Sequence, residues 1–179
     1  MSDTNAVSAD PNQDAAARTL ASVPLRQRVA QIRYDVNWQG TAVRMQYERL
    51  VAHLNLSLED MAYAHLRGIV DMDFLVIAVR RLLRVAERAR DIGCDVNGEL
   101  KQAIKVFTSQ WGQVIDVRNA LEHIDHGRAG IVPVQGGGTL LFAWRGGQVD
   151  VHKLFRAADN LCKTICRVIE PQEANDISI

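Results

Sequence analysis

Cysteine is scarce in this sequence. Three stand among 179 residues, Cys94, Cys162 and Cys166, and no two form a Cys-x-x-Cys pair. An odd, sparse set is not a disulfide framework, and it points to a reducing compartment. Zinc would need further ligands at defined spacing, and none is evident. Cys162 and Cys166 share one helical face and read as small core residues. Cys94 reads as a loop thiol with nothing nearby to activate it. Excess charge of either sign is also absent: 21 basic and 21 acidic side chains leave a formal net charge of zero. A polyanionic partner would therefore have to be met by a local basic surface. No apolar run approaches the roughly 20 residues that a spanning helix needs. The N-terminal MSDTNAVSADPNQD lacks the charged-then-apolar pattern of a signal peptide. A cytoplasmic location is expected, with no membrane partner. The chain also has no His-Glu-x-x-His, no nucleophile elbow and no dinucleotide fingerprint. Gly136-Gly137-Gly138 and Gly146-Gly147 lack the Lys-Ser/Thr of a phosphate loop and read as turns. No cofactor and no metal is expected.

What is present suits one domain. Hydrophobic residues make up 47% of the chain, enough for a sizeable core without staples. Residues 1–22 are rich in Ala, Asp, Asn and Ser without large apolar periodicity, which predicts a disordered tail. Residues 23–170 form the domain, and 171–179 a C-terminal tail. From Pro24, the positions Leu25, Val29, Ile32, Val36, Gly40, Val43, Tyr47, Leu50 and Leu54 step by threes and fours. Their mean step of about 3.6 is the helix period. A rival pattern alternates Ala30, Ile32, Tyr34, Val36 and Trp38 with polar residues, which is the strand period. The longer match favours a helix, with a kink at Gly40. Ser57-Leu58-Glu59-Asp60 resembles a capping box. A second long stripe follows it from Leu58 to Ala89 and stops near Ile92-Gly93.

Asn97-Gly98 opens a third helix striped by Leu100, Ile104, Phe107 and Trp111. Gly112 breaks it. A fourth carries Val114, Val117, Leu121 and Ile124 and ends at Gly127. Residues 128–138, with Pro133 and three glycines, read as loop. Thr139–Trp144 and Gln148–Val151 read as a hairpin. Asp150 caps a last helix striped by Val151, Leu154, Ala158, Leu161, Ile165 and Val168 and followed by Pro171. The expected fold class is all-α, a bundle of about five helices with a small β-hairpin (139–151) before the last.

Usable chemistry concentrates on the fourth helix. From Asp116 to His126 it carries Arg118, Asn119, Glu122, His123, Asp125 and His126. Asn119, His123 and His126 step along one face, whereas Arg118 starts about 140° round the helix from His123. Two copies of the helix packed together would bring Arg and His from different chains into one cleft. The stretch Arg118-Asn119-Ala120-Leu121-Glu122-His123 has the form Arg, polar residue, three residues, His. It resembles the motif of HEPN domains (higher eukaryotes and prokaryotes nucleotide-binding). The resemblance implies a helical bundle, often a homodimer, with the motif on a late helix. Many members are metal-independent ribonucleases, including toxins held by antitoxin proteins; others are non-catalytic. Carried over, Arg118, Asn119 and His123 occupy the motif positions, RNA is the implied substrate, and an antitoxin or other protein is an implied partner. Unlike small toxins of the type, this chain has an N-terminal tail, a long first helix, and a hairpin and further helix after the motif.

The residue types suit that chemistry. Cleaving RNA through its own 2′-hydroxyl needs a group that moves a proton near neutral pH, and His is the side chain whose unperturbed pKa of about 6.5 lies there. A guanidinium fork suits the charge on the transition state. The bland alternative is a helix end: Arg118 and Glu122 as a surface ion pair, with His123 and His126 complementing the helix dipole. That alternative makes the chain a non-catalytic dimerisation or interaction module. Arg80, Arg84 and Arg88 step by four down the second helix. They are either a phosphate-tracking, nucleic-acid-binding stripe or a solvated face. Trp38, Trp111, Trp144, Phe107 and Phe142 read as core or interface. Asp71 and Asp73 near His65 read as a carboxylate–His site or a dimer contact, at a generic spacing.

Overall fold

The computed structural model describes residues 23–52, 61–112, 129–134, 139–144 and 147–174. In chain order they form helices α1 (Leu25–Ala52), α2 (Met61–Asp91) and α3 (Glu99–Trp111), strands β1 (Ala129–Val134), β2 (Thr139–Trp144) and β3 (Gly147–Asp150), and helix α4 (Val151–Ala174). The molecule is mostly helical, with a small antiparallel sheet before the last helix, as the sequence indicates. Four helices lie among the described residues. The fourth helix expected from the sequence, with its polar cluster, falls outside them, as do the tail 1–22 and the capping box 57–60.

Helix, not strand, forms at Ala30–Trp38, because only the helix period puts the large aliphatics on one side. Val29, Ile32, Val36, Val43 and Leu50 are buried, while Tyr34 and Trp38 are exposed. Gly40, expected as a kink, lies inside an uninterrupted helix. Its role is close packing: a Cβ there would stand 2.9 Å from Cys162 Sγ on α4.

α2 contributes Met72, Leu75, Val76, Val79, Leu82, Ala86 and Ala89 to the same core. Burying a Leu or Val side chain of this kind contributes about 1.5–3 kcal/mol each before entropy is counted. α2 ends as expected at Gly93, whose φ of +86° is the left-handed conformation glycine adopts without strain. One buried charge sits on this interface. Asp71 is 1% exposed, and Arg49 Nε of α1 stands 2.9 Å from its Oδ1. Asp71 therefore ties α1 to α2; the side chain of His65, expected near it, lies outside the described residues.

The cap of α3 differs from expectation. Asn97-Gly98 precedes the helix, but Asp95 satisfies its free N–H groups. Leu100 N donates to Asp95 Oδ1 at 2.9 Å and Lys101 N to Oδ2 at 2.7 Å. One carboxylate thus satisfies two orphan donors at the positive end of the helix dipole. Gly98 supplies the left-handed turn, with φ of +71°.

The sheet has three strands in the order β1-β2-β3. The expected hairpin is β2–β3, with Leu141 opposite Asp150 and Trp144 opposite Gly147. Gly147 is therefore a strand residue rather than part of the turn. β1 was not expected. Residues 129–134 pair with 139–144, Pro133 standing opposite Leu140. An edge strand tolerates proline where the missing N–H would face away from its neighbour. Leu140, Phe142 and Val149 are buried, and the sheet packs against α2 and α4.

α4 starts at the end of β3. Lys153 N donates to Asp150 Oδ1 at 3.0 Å, the expected N-cap. Its buried stripe is Val151, Leu154, Ala158, Leu161, Ile165 and Ile169; Ile169, not Val168, completes it. The helix passes Pro171 and ends at Ala174, so residues 171–174, expected as tail, are helical. Proline in the last turn forfeits one hydrogen bond without ending the helix. α1 and α4 are joined by a stack of Tyr47 on Phe155, centroids 3.9 Å apart. Tyr47 Oη also shares a 2.9 Å hydrogen bond with His152 Nδ1.

Candidate nucleic-acid interface

The three expected catalytic residues, Arg118, Asn119 and His123, lie outside the described residues. The three expected phosphate contacts are described, and the structure separates them. Arg80, Arg84 and Arg88 project from α2 at successive turns, but each turn advances by 400° rather than 360°. The row therefore drifts by about 40° per step round the helix. Arg88 is carried to the α1 side, where its Nη2 donates to Asp35 Oδ2 at 2.6 Å. Arg80 is carried to the α3 side and is half-buried. Arg84 stands between, exposed, and lines a groove on either hand.

The two grooves differ in charge. The one between α1 and α2, of about 440 Å³, is lined by Arg81, Arg84 and Arg88 and equally by Asp35, Glu87 and Asp91. Three guanidiniums against three carboxylates leave no net attraction for a phosphate chain. The groove between α2 and α3 is smaller, about 210 Å³. It holds Arg80 and Arg84 against Glu87 alone, with Leu83, Phe107, Trp111 and Gly112 as its other walls. It keeps one net positive charge. Trp111 Nε1 is itself buried, with no hydrogen-bond partner among the described residues. Two guanidiniums and an aromatic wall are the groups that hold a phosphate and a stacked base.

Two features escaped the sequence. Trp111 was expected in the apolar stripe of α3, and it is the position of α2, not the sequence of α3, that sets its indole beside Arg80 and Arg84. The cysteines of α4 are the second. Cys162 and Cys166 are half-buried and hydrogen-bond to each other, which lowers the Cys166 thiol to about 7. The same bond, with burial, pushes Cys162 up. Both also pack against the core, as their four-residue spacing indicates. Cys94, expected in an exposed loop, is buried and its thiol pushed up by burial.

No helix among the described residues is long and apolar enough to cross a membrane. Comparison with protein-family models, curated proteins and solved structures returned no match to this chain. The likeness to HEPN domains therefore rests on the motif at 118–123 and the helical layout.

Proposed function

We propose that this chain is a HEPN-like helical domain that cleaves RNA without a metal ion, acting as a homodimer. His123 takes the proton from a ribose 2′-hydroxyl. The 2′-oxygen attacks phosphorus and the bond to the 5′-oxygen breaks; the leaving oxygen takes a proton from water, and the products are a 2′,3′-cyclic phosphate and a 5′-hydroxyl. Arg118 holds the phosphate and stabilises its developing charge. Asn119 orients His123 or the phosphate. Arg80 and Arg84 hold the RNA strand beside the reacting phosphate; Arg88 is engaged with Asp35.

One observation carries this reading beyond the motif itself: the net-positive groove of Arg80, Arg84 and Trp111 includes Gly112. Arg118 follows Gly112 by six residues. This closeness in the chain supports reading the groove and the motif as parts of one RNA-binding surface. The test is RNA cleavage in excess EDTA by wild type, Arg118→Ala and His123→Ala. Wild type should cleave, and each variant should lose at least about 100-fold in rate. A His123→Ala rate within a few-fold of wild type removes the assignment, as does absence of cleavage by a folded wild type across several RNA types. The second reading, a non-catalytic interaction module, is favoured by a different observation, an uncovered apolar face on α1.

A further inference from the structure

α3 and α4 run antiparallel, since Glu99 at the start of one pairs with Arg167 towards the end of the other. Carried along both helices, that register sets Gln110 opposite Arg156. Between the helices lies a groove of about 570 Å³. Small residues leave it open: Ala103 on α3 and Ala157 on α4 both line it, and a side chain that ends at Cβ cannot fill the space between two helices. Phe107 and Leu161, both buried, form its floor, and Val106 stands at its rim, 41% exposed. The volume is that of a small-molecule site, and so is the plan, an apolar lining with a few polar groups.

The two ends of the groove differ in charge. At one, Glu99 and Arg167 neutralise each other. The other carries Lys153 and Arg156. Three of the basic residues of α4 are spent on acidic partners: Lys153 on Asp150, Lys163 on Asp159 and Arg167 on Glu99. Arg156 has no acidic partner among the described residues. We propose that this groove binds a small amphipathic carboxylate. Its apolar body lies between Val106 and Ala157, over Phe107 and Leu161, and its carboxylate sits on the guanidinium of Arg156. Uncharged walls favour an apolar body, because burying it also takes the walls out of water. One unspent guanidinium fork matches one carboxylate, oxygen for N–H. A phosphate monoester would bring nearly two charges to that single cation. The site lies on the α4 side of α3, away from the Arg80–Arg84 groove, and does not depend on RNA cleavage.

Calorimetry on the full chain tests it with two probes of one shape, naphthoate and naphthalenemethanol, which differ only in the head. At low salt naphthoate should bind about tenfold more tightly, as for a hydrogen bond between charged groups. Arg156→Gln should abolish that preference and leave naphthalenemethanol binding as in wild type. Ala157→Trp puts an indole into the groove and should remove binding of both probes, with circular dichroism and a urea titration reporting the fold. Val106→Asp changes an exposed position and should weaken both probes whether or not Ala157→Trp folds. Equal binding of the two probes by wild type overturns the carboxylate assignment. Binding that survives Val106→Asp or a folded Ala157→Trp chain lies elsewhere and overturns the site. No saturable binding by folded wild type at about 1 mM probe overturns the proposal altogether and leaves the groove to a segment of protein.

Discussion

Cys162 and Cys166 rise one turn apart from the same side of α4. Cys162 Sγ donates to the Val36 carbonyl at 3.9 Å, and the interaction between the two thiols raises Cys162 and lowers Cys166. Arg33 favours the Cys166 thiolate further, while burial opposes it. With a pKa of about 7, half of Cys166 is thiolate at neutral pH, against a few per cent for an ordinary thiol near 8.5. Iodoacetamide at pH 7 should therefore label Cys166 about tenfold faster than an unperturbed cysteine. The rate should rise with pH through about 7, because the thiolate is the nucleophile. Cys162 and the buried Cys94 should stay unlabelled until the chain unfolds. Removing the donor by Cys162→Ala should move the Cys166 midpoint upward. Peptide mass spectrometry after timed quenching reads all of this, and first labelling at Cys162 would reverse the assignment.

At the scale of the element, Gly40 decides how close α1 and α4 approach. Glycine inside a helix ordinarily costs about 0.5–1 kcal/mol relative to alanine, so Gly40→Ala would stabilise an isolated helix. Here the added Cβ would stand 2.9 Å from Cys162 Sγ, and overpacking of that kind costs about 1–3 kcal/mol. Gly40→Ala should therefore lower stability in a urea titration. In a Cys162→Ala background the same substitution should be neutral or stabilising. A Gly40→Ala chain as stable as wild type would mean that the helices do not meet at this point. The sequence marked Gly40 as exceptional but could not say why, because a bend and a close contact both select glycine. The same limit runs through the elements. The stripes of α1 to α4 were legible, since burial on one side of a helix imprints its period directly. β1 was not, since Pro133 argues against a strand unless the strand is known to be an edge. Asp95 was not, since a cap formed across five residues leaves no pattern at the helix start.

At the scale of the whole molecule, the sequence named Arg80, Arg84 and Arg88 as equals because it sees only their spacing. Their difference comes from the packing of α1 and α3 on either side of α2, which gives Arg88 a carboxylate and leaves Arg80 and Arg84 beside Trp111. A chain of zero net charge has no long-range pull on RNA, so on the proposed function RNA would be held by these few local contacts, and salt would count them. Each phosphate neutralised on a single strand contributes about 0.7 to the slope of log affinity against log salt. Contacts from Arg80, Arg84 and Arg118 give a slope of about −2. Arg80→Ala and Arg84→Ala should each flatten it by about 0.7 and weaken binding for every RNA sequence alike. Arg88→Ala should leave the slope unchanged, since its guanidinium is on Asp35. Fluorescence anisotropy with a labelled single-stranded RNA, in the His123→Ala chain that the proposed function makes unable to cleave, measures each slope. Equal flattening by all three would mean that RNA displaces Asp35 from Arg88 and tracks the α1 side of α2. No flattening by Arg80→Ala or Arg84→Ala would take the strand away from the Trp111 groove altogether.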